Sequence, residues 1–334
     1  MLKIGIISFA HMHALSYASA LTKSSQAELT AIWDDVSTRG HEMAAAYQAN
    51  YYQDLEEMLA TDLDAVIICS ENIHHKEHVI KAAAYQKHIL CEKPLATEVK
   101  DAEVMIAACE AQNVRLQVAY PVRFTSAIQQ VKELIDAAEL GNVLAINATN
   151  HGLLPGGWFI QPELSGGGCA TDHIVHIVDA LRWIFNQEVV KVYAAFDTRF
   201  YDIEVEDCGQ VMIEFDSGMV VTIDPSWSRP KTFPTWGDVT MSIYGEEGML
   251  EVDAFKQHHL FYNDQKNKLE EQVWADDMDE ALVEDFLQCV ANNREPFITG
   301  TDGLRTLEVV KAAYRSNQER KPITIETIRG GHSQ

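Results

Sequence analysis

Long apolar runs are missing from this chain of 334 residues: none approaches the ~18 that a membrane-spanning helix requires. Basic residues are also few, 26 Lys and Arg against 50 Asp and Glu, for a formal charge of −24. Nucleic-acid phosphates and anionic membranes are held by clustered Lys and Arg, so this balance argues against both as partners. It leaves room for a local basic pocket around a nucleotide cofactor. The six cysteines (Cys69, Cys91, Cys109, Cys169, Cys208 and Cys289) show no Cys-x-x-Cys spacing. That excludes a disulfide scaffold and the usual zinc finger. The opening MLKIGIIS carries no basic-then-apolar secretion signal. The expectation is a soluble, cytoplasmic protein.

What is present is an ordinary globular composition, 47% hydrophobic and 23% charged, over a length that suggests two domains of roughly 150 residues. Over residues 1–122, short Val/Ile/Leu-rich runs (Lys3–Ser8, Leu29–Trp33, Ala65–Cys69, His88–Cys91, Val114–Val118) alternate with helical stretches (Ala14–Leu21, Ser37–Tyr47, His75–Ala84, Val99–Ala111). Alternation of this kind predicts an α/β Rossmann-type, doubly wound parallel sheet that binds a dinucleotide. Over 123–334 the rhythm changes. A helix at Ser126–Ala138 and another at Asp172–Phe185 flank strands at Val143–Asn150, Val189–Thr198, Cys208–Phe215, Met219–Ile223, Val239–Tyr244 and Met249–Val252, with His259–Tyr262 as a further candidate. Short turns such as Asp216-Ser217-Gly218 predict an α+β domain with a large, mainly antiparallel open sheet. Two helices, Asp277–Asn292 and Asp302–Ser316, close the chain, and a frayed tail is expected at Gly330–Gln334. An open sheet face is usually covered by a partner, so a homo-oligomer, dimer or tetramer, is expected through the C-terminal sheet.

A dinucleotide fold should carry a glycine fingerprint in its first βα turn. Here the three glycine positions hold Ser8, Ala10 and His13. Small residues at the first two still let the backbone approach a pyrophosphate; a plain strand–helix turn is the competing reading. Asp34, 26 residues after Ser8, is placed either to accept from ribose hydroxyls, favouring NAD over NADP, or to cap the next helix. Arg39 beside it leaves NADP open. Lys93 follows a buried strand, where open α/β sheets bind ligands, and Pro94 restricts it, with a cis bond in view. In the run GGGCATDHIVHIVD, Asp172 and His176 share a helical face, and His173 lies beside them. A carboxylate next to an imidazole suits a substrate hydroxyl and its proton. Metal ligation by Asp172, His173, His176 and His151, or a capping Asp172 with a core His176, are the alternatives. His74 and His78 share a helical face but lack a third ligand, and Trp227 is either a sugar-pocket floor or core. No metal is expected.

The order of these segments resembles the glucose–fructose oxidoreductase/inositol dehydrogenase (Gfo/Idh/MocA) family. The resemblance runs from LDAVIICSENIHHKEHVIKAA through ILCEKPLA, SGGGCATDHIVHIVDALRWIF and IYGEEGMLEV to ITGTDGLRTLEVVKAAYRS. It implies an NAD(P)-dependent dehydrogenase acting on a CH–OH group of a sugar, inositol or related polyol. Lys93, Asp172 and His176 map onto its catalytic pocket. The cofactor side comprises Ser8, Phe9, Ala10, His11, His13, Asp34, Arg39, Ser70, Asn72, His75, Glu92 and Lys93. The substrate side comprises Tyr120, Arg123, Trp158, Asp172, His173, His176 and Trp227. The missing glycines, and Glu71 where the family has Pro, depart from the pattern. A protonated His11 or His13 at the loop would strengthen NAD binding as pH falls from about 8 to 6. A sugar- or cofactor-sensing protein without turnover, and a metal-dependent lyase or hydrolase, are the other function classes.

Overall fold

The computed structural model describes residues 1–263, 267–273 and 276–330. The expected fraying at Gly330–Gln334 falls, from residue 331 on, outside them. Six strands form the first sheet: β1 (Leu2–Ile7), β2 (Ala27–Trp33), β3 (Asn50–Tyr52), β4 (Ala65–Ile68), β5 (His88–Cys91) and β6 (Leu116–Val118). All pairs are parallel and the order is β3-β2-β1-β4-β5-β6, a Rossmann sheet. The central strands are mainly apolar because α1 (His13–Lys23), α2 (Ser37–Tyr47), α3 (Leu55–Leu59), α4 (His75–Ala84) and α5 (Val99–Ala111) supply the sheet's covering helices; all four residues of β4 are fully buried.

The second sheet has seven strands: β7 (Val143–Thr149), β8 (Val189–Asp197), β9 (Cys208–Phe215), β10 (Val220–Asp224), β11 (Thr240–Gly245), β12 (Met249–Asp253) and, after the hairpin β13 (His258–Asn263) and β14 (Lys268–Val273), the short β15 (Ile323–Thr324). Their order is β12-β11-β7-β10-β9-β8-β15. Only β7 and β10 pair in parallel, so the sheet is mostly antiparallel. Its strands alternate as a half-covered sheet must. Val192, Ala194, Val211, Ile213, Val221 and Ile223 are buried, while Tyr193, Met212, Val220 and Tyr244 are exposed on the other side. The helices of this half are α6 (Ser126–Asp136), α7 (Pro162–Ser165), α8 (Cys169–Phe185), α9 (Met278–Asn292), α10 (Gly300–Glu319) and α11 (Ile325–Ile328). No helix among the described residues is long and apolar enough to cross a membrane.

Two features place the site. The carboxyl ends of β1, β2, β4 and β5 face one edge of the first sheet, as parallel strands require. Helix α8 meets that edge from the second half, and its start lies three residues before the expected Asp172. Most of a turn of helix is thereby added, and Asp172 sits inside it instead of capping it.

Candidate active site

Glu206 explains the early start of α8. Its carboxylate accepts from the backbone N–H of Gly168 (2.9 Å) and Ala170 (3.0 Å) and from the Tyr314 hydroxyl (2.6 Å), satisfying orphan donors of the first turn. The glycines before α8 serve this packing. A Cβ on Gly168 would lie 2.1 Å from the Glu206 carbonyl oxygen, and one on Gly167 2.0 Å from the Tyr314 hydroxyl. With α8 so placed, Asp172 reaches Lys93 at the end of β5. The two form a buried ion pair. Burial opposes ionisation of Asp172, but Lys93 and His173 hold its carboxyl well below the usual range. Its second oxygen accepts from Trp227 Nε1 at 3.1 Å. The Lys93–Pro94 bond is cis. One turn along α8, His176 is kept neutral, first by burial and then by Lys93. Lys93, Asp172 and His176 all line a cavity of about 490 Å³ between the two halves.

The loop after β1 is built without glycine and still turns like one. Ser8 has φ 68°, the left-handed region that the first glycine of a phosphate loop normally occupies. Its hydroxyl accepts from Ala10 N–H (3.2 Å). Phe9 N–H donates to Asp34 (2.8 Å), and Arg39 forks onto the same carboxylate through Nε and Nη2, both at 2.8 Å. His11 accepts the His13 N–H at Nδ1 (3.1 Å), so its proton sits on Nε2. His13 Nδ1 faces Glu92 at 3.0 Å, and Tyr17 and the Lys93 N–H also donate to Glu92. His11, His13 and Glu92 lie close enough to cradle an ion. His13 and Glu92 are hydrogen-bonded to one another, whereas His11 Nε2 is buried without a hydrogen-bond partner among the described residues.

Residues 2–120 match an oxidoreductase family with an NAD-binding Rossmann fold, and residues 128–251 match the GFO/IDH/MocA C-terminal domain. The chain belongs to the Gfo/Idh/MocA family. Among its relatives, myo-inositol 2-dehydrogenase of Thermotoga maritima is 26% identical, covering 98% of this chain and all of that protein. The NAD(+)-dependent scyllo-inositol 2-dehydrogenase of Bacillus subtilis is 25% identical over 98% of this chain and 96% of its own. A crystal structure of GenD2 from gentamicin A biosynthesis in complex with NAD superposes with a TM-score of 0.86 at 23% identity, covering 97% and 96% of the two chains. That last likeness speaks for the fold. Family membership makes this an NAD(P)-dependent oxidoreductase.

The loop fits such a cofactor. The Met12 side chain does not cap helix α1, the Ala10 N–H is held only by the Ser8 hydroxyl, and the Met12 N–H makes no hydrogen bond among the described residues. Uncapped N–H groups at a helix start favour a diphosphate. The expectation of a charged His11 there is overturned. Burial pushes its pKa down to about 3, so it stays neutral from pH 8 to 6. His13 is pulled down by burial and up, decisively, by Glu92, so its charge is compensated.

In this Gfo/Idh/MocA chain the remaining expected residues divide into supports and walls. Trp227 is fully buried and holds Asp172; it does not floor the large cavity. His173 is fully buried, its Nδ1 on the Pro225 carbonyl (2.8 Å). Arg123 is locked onto Asp179, and the Tyr120 hydroxyl meets Thr306, so neither side chain reaches the cavity. His75 bridges the carbonyls of Ser70 and Pro94, and the Ser70 hydroxyl pairs with His78. Asn72 crosses to the Ser165 carbonyl (2.8 Å), and Trp158 Nε1 donates to the Ala10 carbonyl (3.0 Å), with its ring stacked on Phe159. Glu206 and Phe159 were not legible as site residues, since no motif marks them.

His151 stands apart from the cluster once grouped with it. It lies between Asp224 (3.3 Å) and Asp238 (3.1 Å), and Arg229 also pairs with Asp238. Burial lowers its pKa, but hydrogen bonds to both carboxylates push it up to about 9. A histidine raised from its unfolded value contributes stability that is complete below pH ~6.5 and lost as pH climbs through ~9. The contribution is at most about 3 kcal/mol. Urea midpoints should therefore fall between pH 6 and 10, and His151→Asn should flatten that slope; an identical slope in the variant removes His151 as its source.

Proposed function

We propose that the protein is an NAD-dependent dehydrogenase exchanging a hydride with a secondary alcohol, or the matching ketone, of a sugar, inositol or related polyol. The observation that carries this reading is the convergence of Lys93 from the first half with Asp172 and His176 from the second on one cavity. The bound nicotinamide supplies the hydride acceptor. The chain handles the proton. His176 is neutral, the form that takes a hydroxyl proton, and Lys93 Nζ donates to the oxygen that loses it. Asp172 fixes Lys93 and accepts from a neighbouring hydroxyl. Relatives named as inositol dehydrogenases support the substrate class. The test is nicotinamide absorbance with a panel of polyols and sugars: reduction is expected with at least one. Tight NAD binding with no reduction across the panel would leave a sensor.

Asp34 at the end of β2 supports NAD over NADP, because a carboxylate accepts from ribose hydroxyls and repels a 2′-phosphate. Asp34→Ala leaves Arg39 with Asp35 as its one remaining carboxylate partner among the described residues and should narrow that preference by about tenfold, roughly 1.4 kcal/mol, in fluorescence titrations. Tighter NADP than NAD binding by the unaltered protein would remove Asp34 as selector. The exposed face of the second sheet, with Tyr193, Met212, Val220 and Tyr244, supports pairing of two copies there; light scattering of the purified protein should report a dimer or tetramer.

A further inference from the structure

The cavity is lined by side chains of two kinds. The first group is Lys93, Asp172 and His176, together with Asn150. Two polar atoms on these walls, Asn150 Oδ1 and His176 Nδ1, are buried with no partner among the described residues. Those atoms ask for hydroxyls. The other lining residues include a large apolar group, Met12, Leu15, Trp236, Phe255 and Met278, beside the polar His11, His13, Ser16 and Thr235. Met12, Leu15 and Trp236 are 43%, 49% and 38% exposed, although a large apolar side chain gains most when water is removed from it. Gathering three of them on the rim of one cavity marks a binding surface.

Charge narrows the ligand further. No arginine is among the residues lining the cavity, and its one lysine is already paired with Asp172. The half-buried His13 is likewise paired, with Glu92. A phosphate or carboxylate on the ligand would find no free cation.

We propose that the substrate is a neutral glycoside bearing an aryl or alkyl aglycone. Its hydroxylated ring lies against Lys93, Asp172 and His176 and its apolar group on Met12, Leu15 and Trp236. This rests on the reading of the cavity as the substrate site, and the test separates the two. Paired phenyl and methyl glycosides of glucose, galactose and xylose, in both anomers, are titrated calorimetrically into the protein loaded with NADH. In at least one pair the phenyl member should bind about tenfold to a hundredfold more tightly, the gain from burying an aromatic ring. Trp236→Ala should remove most of that advantage, and Leu15→Ser a smaller part. Equal affinity within every pair, or no binding of any phenyl glycoside, overturns the proposal. So does a phenyl advantage that both variants retain in full. A phenyl advantage without nicotinamide reduction by any glycoside supports the aglycone surface and removes the dehydrogenase reading.

Discussion

Lys93→Ala is expected to lower turnover by roughly 10²–10³-fold, the usual cost of removing a donor aimed at an oxygen that develops charge, with NAD affinity nearly unchanged. Initial rates of nicotinamide reduction and a fluorescence titration check the two halves of that statement. The substitution also strands a charge. Asp172 is 6% exposed, and without Lys93 its carboxylate keeps only Trp227 and His173 as neighbours. Leaving one member of a buried ion pair costs about 3–5 kcal/mol, so lost activity and lost stability arrive together. The double variant Lys93→Met/Asp172→Asn separates them. With both charges gone it should melt closer to the parent than Lys93→Ala does, yet be equally inactive. Full turnover in Lys93→Ala would end the mechanism.

The largest loss of stability is expected at Arg123. Its guanidinium forks onto Asp179 through Nε (2.7 Å) and Nη2 (2.6 Å), reaches Asp302 at 3.2 Å, and donates to the Phe297 carbonyl. Both Arg123 and Asp179 are at most 2% exposed. Arg123→Met removes the cation and leaves the Asp179 carboxylate dry and unpaired, at a cost of about 3–5 kcal/mol. Arg123→Met/Asp179→Leu replaces the pair with apolar groups and should recover much of the loss, because desolvation of the charges offset most of their attraction. Chemical denaturation measures both. If the single and double variants unfold at the same urea concentration, the stranded carboxylate is not the cause.

The first sheet could be read from the sequence because its strands are buried on both faces. AVIIC and HILC are continuous apolar runs, and the expected bounds of β5, α2, α4 and α5 match the structure to the residue. Strand β3 escaped notice: Asn50-Tyr51-Tyr52 is a short edge strand with polar and half-exposed aromatic residues and no alternation to detect. Lys93, Asp172 and His176 were visible as candidates since chemistry and local spacing mark them. Their supports were not. Trp227 meets Asp172 across 55 positions and Arg123 meets Asp179 across 56; only the packed fold brings such pairs together. Depth misled as well. His11 reads as a titrating loop residue until Trp158 and Phe159 close over it. The absent glycine fingerprint proved less of a departure than it looked, because what the turn requires is a left-handed φ, and Ser8 supplies it.

The strap that carries Trp158 and Phe159 is tied to the Rossmann half at both of its flanks, by Trp158 to the Ala10 carbonyl and by the Ser165 carbonyl to Asn72. Phe159, between them, packs on His11 and also lines the cavity that holds Lys93, Asp172 and His176. One aromatic side chain is therefore a wall common to the loop after β1 and to that cavity, so the two form a single joined surface instead of two separate pockets.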